Sequence, residues 1–463
     1  MRILLVQPPF PPSRKAFGLP SLPEPLALEI LAAYLPEHEV RILDLRVEAE
    51  DLKEVIASFR PEVVGVTALT TEVYAALEVL RQSKELVPGV TTVAGGLHAS
   101  LVPLDFQKEY VDVIVIGEGE LTFCELVGRL ESNGPLDSVE GIVYKSRSGD
   151  FHSTGPRKEK VKLDTLPLPR RDLTAQLRDR YFFLFRRPCA ALEASRGCPY
   201  RCSFCSVWKF HNGKCRYMSP ERVLRELKTV SEQHTIFVDD NFLQDAKRAE
   251  RLYELIKASG IKKSYGIQGR ADSIARNPHL IEKWKEIGLA GVLVGFETQK
   301  EARLERLSKG SLIRENEEAI QILHANGVRI WGAFIVEPDF DAQDFKHLRD
   351  YMNKKKITFR QITILTPLPG TDLYEERFRD LITNDYRLFD CLHSVLPTKL
   401  PAKEFYREYA KLQRSYSLRC QLSVILSGSV SPRQILFGKS LVRRMGRPQT
   451  YLDNLRAAGA RIS

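Results

Sequence analysis

Two stretches of this chain alternate short apolar runs with amphipathic helical segments, and that alternation leaves few folds open. Over residues 1–130, strands are predicted at Ile3–Val6, Val40–Asp44, Val63–Thr67, Thr91–Ala94 and Val113–Ile116. Helical spacing fills the intervals at Leu26–Leu35, Asp51–Phe59, Tyr74–Leu86 and Leu121–Leu130. Regular β-α alternation implies parallel strands covered by helices on both faces, a doubly wound α/β sheet. Such sheets bind ligands in the loops outside the carboxyl ends of their strands. A second series predicts strands at 191–195, 235–239, 264–269, 291–296, 328–335 and 359–364. Its helices fall near 220–232, 245–259, 278–287, 314–326 and 342–354. Six β-α units predict a barrel or partial barrel, with functional groups at the strand C-termini.

The expected division is a doubly wound, Rossmann-like domain over 1–135, a linker over 136–185, a partial (βα)6 TIM barrel over 186–400, and a helical region with a basic tail over 401–463. The linker is rich in turn formers, and Leu166-Pro167-Leu168-Pro169-Arg170-Arg171 reads as its interdomain stretch. Tyr181–Phe185 is expected to be buried beneath it. No uninterrupted apolar run approaches the roughly 18 residues a membrane span needs. The N-terminus lacks a signal-peptide pattern, so the expected location is cytoplasmic. The net charge of +10 admits nucleic acid, an anionic membrane surface, an anionic cofactor or plain solubility. Eight cysteines are too few and too uneven for a disulfide scaffold over 463 residues, and clustered ones point to metal or redox chemistry.

The sharpest motif is Cys198-Pro199-Tyr200-Arg201-Cys202-Ser203-Phe204-Cys205, directly after the first strand of the second series. Three thiolates at C-x3-C-x2-C spacing can hold three irons of a cubane cluster and leave the fourth without a protein ligand. An open metal position marks a catalytic centre. A structural zinc site, with His211 or Cys215 as fourth ligand, is the competing reading. It fits less well, because structural zinc takes two close ligand pairs.

On these residues the chain resembles the radical S-adenosylmethionine (SAM) superfamily, whose motif is C-x3-C-x-aromatic-C at the end of the first strand of a partial TIM barrel. The resemblance implies a [4Fe-4S] cluster on Cys198, Cys202 and Cys205, SAM chelating its open iron, and a 5′-deoxyadenosyl radical that abstracts hydrogen from an unactivated carbon. Phe237-Val238-Asp239-Asp240-Asn241-Phe242 lies where the family binds the SAM amino group, with acidic residues in place of the usual glycines. Gln268 and Arg270 stand where relatives contact SAM ribose or carboxylate. Gly295-Phe296-Glu297 followed by Lys309-Gly310 resembles the G-x-E…K-G signature of the branch with extra N-terminal domains, and Thr366-Pro367-Leu368-Pro369-Gly370-Thr371 is typical of it.

The first domain resembles the cobalamin (B12)-binding domains found ahead of such barrels. The matching pieces are Gln7-Pro8-Pro9, Gly65-Val66-Thr67-Ala68, Gly95-Gly96-Leu97-His98-Ala99-Ser100, and Asp112 with Gly117-Glu118-Gly119-Glu120. The resemblance places cobalamin against Pro8, Pro9, Thr67, Ala68, Gly95, Gly96, His98, Glu118, Gly119 and Glu120. The D-x-H-x-x-G motif that gives a histidine to cobalt is absent, so His98 reads as a pocket or corrin-edge residue.

Cobalamin with radical SAM implies methyl transfer from methylcobalamin to a carbon radical, with an electron donor such as flavodoxin or ferredoxin. An oxidative cyclase without methyl transfer and a cobalamin or iron-sulfur sensor module are the alternatives. The segment Asp390–Pro401 resembles the region after the barrel in hopanoid C-3 methylases, which implies a hopanoid or other isoprenoid lipid substrate. Tyr386, Cys391 and His393 either face the active site or belong to a packed lid. Residues 421–463 carry Arg433, Lys439, Arg443, Arg444, Arg447, Arg456 and Arg461 against Asp453 alone, among Ile435, Leu436, Phe437, Leu441, Val442 and Met445. Such a basic amphipathic segment suits an anionic membrane surface. A solvated or self-docked tail is the other reading. Nucleic acid is disfavoured, because no aromatic platforms alternate with the basic residues.

Overall fold

The structure, a computed structural model, describes residues 1–17, 20–47, 50–184, 186–357, 359–415, 440 and 443–461. It divides into two compact units. One comprises Met1–Pro12 with Glu24–Arg180, the other Ser13–Pro23 with Tyr181–Ser463.

The first unit is built on β1 (Arg2–Gln7), β2 (Glu39–Asp44), β3 (Val63–Thr67), β4 (Thr91–Gly95) and β5 (Val113–Val115). These pair in parallel in the order β2-β1-β3-β4-β5. That is a doubly wound order whose switch point lies between β1 and β3. Ile3, Leu5, Val63 and Val113 meet Leu28, Ala32, Phe123 and Leu126 of the covering helices in one apolar cluster. The alternate residues Leu4, Val6 and Val64 are equally buried on the opposite face, which is why these strands read as continuous apolar runs.

The expected linker over 136–185 is corrected here. Its residues 136–180 belong to the first unit. β6 (Ile142–Lys145) and β7 (Phe151–Ser153) extend the sheet antiparallel to β5 and to each other. Strands of four and three residues bounded by Gly141, Gly149 and Gly155, all at positive φ, carry too little alternation to be seen in the sequence. The segment Arg171–Arg180 is also anchored in this unit, through Thr174 Oγ1 donating to Glu29 at 2.5 Å and Arg170 N–H donating to Glu29 O at 3.0 Å.

In the second unit, β8 (Cys189–Leu192), β9 (His234–Phe237), β10 (Ser264–Arg270), β11 (Leu289–Glu297), β12 (Arg329–Val336) and β13 (Phe359–Ile364) form one parallel sheet in chain order. β8 and β13 are not paired with each other, the topology of an open (βα)6 barrel. Helices Pro220–Leu227, Ala246–Ser259, Pro278–Glu286, Ile313–Ala325 and Ala342–Lys354 connect consecutive strands. Under this helical layer, Trp284 is fully buried edge-on to Phe237, Phe242 and Tyr265.

Two later helices, Ala402–Ser415 and Pro448–Ala457, pack through Tyr406 and Tyr451, whose rings stack 5.0 Å apart. His393 is fully buried with them. Its Nδ1 lies 3.0 Å from Asp390 and its Nε2 lies 3.3 Å from Asn454. Of the two readings of that segment, His393 takes the packed one. Cys391 and Tyr386 are half-buried, and the Cys391 carbonyl accepts from Ile364 N–H at 2.7 Å. Most of the basic amphipathic stretch, including Arg433, Ile435, Leu436, Phe437, Lys439, Leu441 and Val442, lies outside the described residues. Among the described residues, no helix is long and apolar enough to cross a membrane.

Candidate cluster and cofactor sites

The cysteine loop leaves the C-terminal end of β8 through Gly197, whose φ of +89° no other residue adopts cheaply. A Cβ there would meet Lys214 O at 2.2 Å and His211 Cβ at 2.9 Å. The loop is then fastened at several points. Ser203 N–H donates to Leu307 O at 3.1 Å, and Ser203 O accepts from Leu373 N–H at 3.0 Å. Trp208 Nε1 donates to Cys202 O at 3.0 Å. Phe204 packs on Leu307, Ile335, Leu365 and Leu373, which explains an aromatic before the last cysteine.

Two acids at the exit of β9 secure the start of the same loop. Asp239 is fully buried and accepts from Ala194 N–H at 3.0 Å and from Ser195 Oγ at 2.5 Å, with Arg248 3.7 Å away. Asp240 accepts from Gly197 N–H at 3.1 Å. Burial and the neighbouring Asp239 push the Asp240 carboxyl up to about 6, against the pull of that N–H. Asn241 donates to Gln244 and Ser273 and accepts from Arg270 N–H at 3.3 Å. Arg270 lies 3.5 Å above the Tyr200 ring, donates to Asp272 at 2.9 Å, and reaches Lys309 O at 2.8 Å. Asp239, Asn241 and Arg270, expected from the resemblance to touch SAM, therefore spend their hydrogen bonds inside the protein. Gln268 is half-buried at the same strand ends, and its carbonyl accepts from Phe242 N–H.

Glu297 and Lys309, twelve residues apart, form a buried ion pair at 2.6 Å. Burial lowers the Lys309 ammonium, but the charges of Glu297 and Cys202 prevail and hold it above its ordinary value. Gly295 makes room for the pair, since a Cβ there would lie 2.5 Å from Glu297 Oε1 and 2.9 Å from Lys309 Nζ. Tyr200 and Asp272 were not singled out in the sequence. Tyr200 stands inside the cysteine motif, which was the available signal, and its hydroxyl donates to Asp272 at 3.0 Å.

The donor set fits an iron-sulfur cluster. Three thiols sit on one anchored loop, close enough for Cys205 to feel the charge of Cys198 and Cys202, and Cys198 that of Cys202. Burial pushes the Cys205 thiol up to about 11, so metal binding there must release its proton. Among the described residues, no three His, Cys, Asp or Glu side chains are gathered around a single-ion position.

In the first unit, Pro8, Pro9, Thr67, Ala68, Gly95, Gly96, Glu118, Gly119 and Glu120 lie at or just beyond the carboxyl ends of β1, β3, β4 and β5. Gly96 has φ +91° and ψ −171°, and a Cβ on it would lie 2.4 Å from Thr67 Oγ1. Ala68 N–H donates to Gly95 O, and His98 N–H donates to Ala68 O, both at 3.1 Å. His98 is buried, with Nδ1 3.1 Å from Thr70 Oγ1 and Nε2 2.8 Å from Asp105. Both ring nitrogens are engaged within the unit, so this edge suits a corrin held by main chain and small side chains. Asp112 lies at the opposite end of β5, where it accepts from Thr92 N–H at 2.8 Å and pairs with Lys84 at 2.7 Å.

Comparison with known proteins matches residues 19–127 to the B12 binding domain model and residues 192–352 to the Radical SAM superfamily model. The chain is 34% identical over 399 residues to the hopanoid C-3 methylase of Methylococcus capsulatus, covering 84% of this chain and 76% of that protein. The chain belongs to the B12-binding radical SAM family. It is also 32% identical to an uncharacterised methyltransferase of Pyrococcus horikoshii, over 86% of this chain and 88% of that one. The fold matches the cobalamin-dependent radical SAM enzyme OxsB with aqua-cobalamin and SAM bound, at a TM-score of 0.69 and 17% identity, covering 98% of this chain and 80% of that one. As a B12-binding radical SAM methyltransferase, the chain takes cobalamin, a [4Fe-4S] cluster and SAM as its cofactors.

Proposed function

We propose that this enzyme methylates an unactivated carbon of a hopanoid or related isoprenoid lipid by the radical route. The observation that carries the reading is the cysteine loop, a three-thiol donor set locked to the C-terminal ends of a parallel (βα)6 sheet. The similarity to a hopanoid C-3 methylase over 84% of the chain supports the lipid class. When bound, the cluster supplies the electron that splits SAM and the corrin supplies the methyl group.

The chain's own residues do the rest. Cys198, Cys202 and Cys205 hold three irons. Asp239 and Asp240 fix the loop against the end of β9. The Glu297–Lys309 pair places a cation beside Cys202, where it offsets the negative charge of the thiolates. Gln268 and Tyr200, half-buried at the same strand ends, are the proposed SAM contacts, with Arg270, Asn241 and Glu297 positioning them. In the first unit, Thr67, Ala68, Gly95, Gly96 and Glu118–Glu120 form the proposed corrin edge, and His98 with Asp105 braces its turn. An electron donor such as a flavodoxin or ferredoxin, and membrane contact through the basic tail, belong to the same proposal.

Anaerobic reconstitution with cobalamin and SAM, plus a hopanoid in detergent, tests it. The expected result is a methylated lipid with both S-adenosylhomocysteine and 5′-deoxyadenosine released. Deoxyadenosine without S-adenosylhomocysteine would point to the cyclase chemistry instead. Liposome sedimentation of the full chain and of a chain ending near Leu422 tests the tail, with weaker binding expected on truncation.

A further inference from the structure

The end of the (βα)6 sheet opposite the cysteine loop holds a cavity that the methyltransferase chemistry does not use. It measures about 170 Å³ and is lined by the first residues of all six strands. From Tyr265 at its floor to Arg270 at the cluster end is five residues of β10, about 17 Å at 3.3 Å per residue. One wall is apolar. Trp331 and Phe359 pack with Phe183 and Leu293, and the Phe183 ring stands edge-on to Trp331 at 4.7 Å. The lining also carries the guanidinium groups of Arg186, Arg187 and Arg329 and the imidazole of His234, which burial and Arg186 hold toward its neutral form, with no Asp or Glu among the described lining residues.

Two observations bear on what this end would accept. Arg186 donates to Ser264 Oγ and lies close enough to Arg329 to be repelled, and burial together with that repulsion pulls its guanidinium down to about 10. His234 Nδ1 is buried without a hydrogen-bond partner. A buried polar atom left unpaired is uncommon and marks a place where a partner belongs. Arginines that share an anion cease to destabilise each other, and a guanidinium pair matches a carboxylate or phosphate in fork geometry. The volume sets the body, since a cavity of roughly 150 Å³ takes one benzene ring.

We propose that the amino-terminal mouth of the barrel binds a small amphipathic anion, a carboxylate or phosphate monoester on a single ring or short alkyl chain. The acid group lies between Arg186, Arg329 and His234, and the body lies on Trp331 and Phe359. This site is independent of the methyl-transfer reading, and its failure would leave that reading untouched.

Calorimetric titration of the full-length protein with benzoate, phenyl phosphate, benzyl alcohol and inorganic phosphate tests it. Benzoate and phenyl phosphate are expected to bind, with benzyl alcohol and inorganic phosphate about tenfold weaker or worse, since each lacks one half of the recognition. Arg329→Gln should weaken benzoate about tenfold. Gly266→Leu should abolish binding, because a Cβ at Gly266 would touch only Ile236, at 3.7 Å, so the backbone accepts the side chain and the cavity fills. Unchanged melting and unchanged SAM cleavage in both variants show that the fold is kept. Equal binding of benzoate and benzyl alcohol, no binding of either acid, or full benzoate binding in a folded Gly266→Leu protein would overturn the proposal.

Discussion

The loop carrying Cys198, Cys202 and Cys205 is held mostly by side chains, with two main-chain bonds at Ser203, whereas the carboxyl edge of the first unit relies more on main chain. Around the cysteines, Asp239, Asp240, Arg248, Trp208, Arg270 and the Glu297–Lys309 pair each make a specific polar contact with the loop or its supports. At the proposed corrin edge, Gly95 and Ala68 contribute backbone bonds, Gly96 close approach, and Gly117 N–H a bond to Ser100 Oγ. The difference follows from what each must hold. A cluster needs fixed soft donors at fixed distances, so residue types are dictated. A large planar ligand needs an uncluttered surface, so many small residues serve.

The comparison breaks most sharply at the thiols. Cys202→Ala is expected to abolish the cluster's visible absorption and all deoxyadenosine formation while leaving cobalamin binding intact. Loss of cobalamin binding in the same variant would show that the two sites are not separable. Lys309→Met comes next. It leaves the Glu297 carboxylate buried without its partner, a change that costs roughly 3–5 kcal/mol. The variant should melt markedly lower, read by calorimetry on the reconstituted protein. The double variant Glu297→Gln with Lys309→Met should regain much of that stability without regaining SAM cleavage. Recovery of cleavage would show that the pair only packs.

Main-chain construction makes a different prediction for the other edge. Gly96→Ala forces an alanine into a backbone conformation that is essentially reserved for glycine, at a cost on the order of 1–3 kcal/mol before any clash with Thr67. Cobalamin titration should show weakened binding, with the cluster spectrum unchanged. An unaltered cobalamin affinity would mean that the turn at Gly96 does not shape the corrin edge.

How much of this was legible depended on the same contrast. All five parallel strands of the first unit and all six of the second lie where periodicity placed them, to within a few residues, because each is an apolar run between amphipathic helices. The cysteine motif announced itself, since no other residue type does its chemistry. Asp239 and Asp240 lie at the end of β9, as the sequence placed them, but their direction was not readable. A short acid beside a chain reversal bonds whichever N–H is left unpaired, and here those are Ala194 and Gly197. The hairpin of β6 and β7 was missed because three- and four-residue strands between glycine turns carry no period. The pairing of Glu29 with Thr174 was invisible because 145 residues separate them.

That buried acid supplies the most local test. Glu29 lies fully buried in the helix Leu26–Ala33, and burial, then the nearby Glu24, raise its carboxyl from 4.5 to about 8, while Thr174, Arg171 and Arg178 pull the other way. Between those values the folded unit keeps a proton that the unfolded chain has lost. Stability attributable to Glu29 is therefore complete below about pH 4.5 and declines as pH rises to about 8. In calorimetry of the full chain, the transition that added cobalamin raises belongs to the first unit. Its midpoint should fall from pH 5 to pH 8, and Glu29→Gln should flatten that slope. The transition of the cysteine-bearing unit should not share the change, because Glu29 has no part in it. A slope that survives the substitution would move the proton to another group.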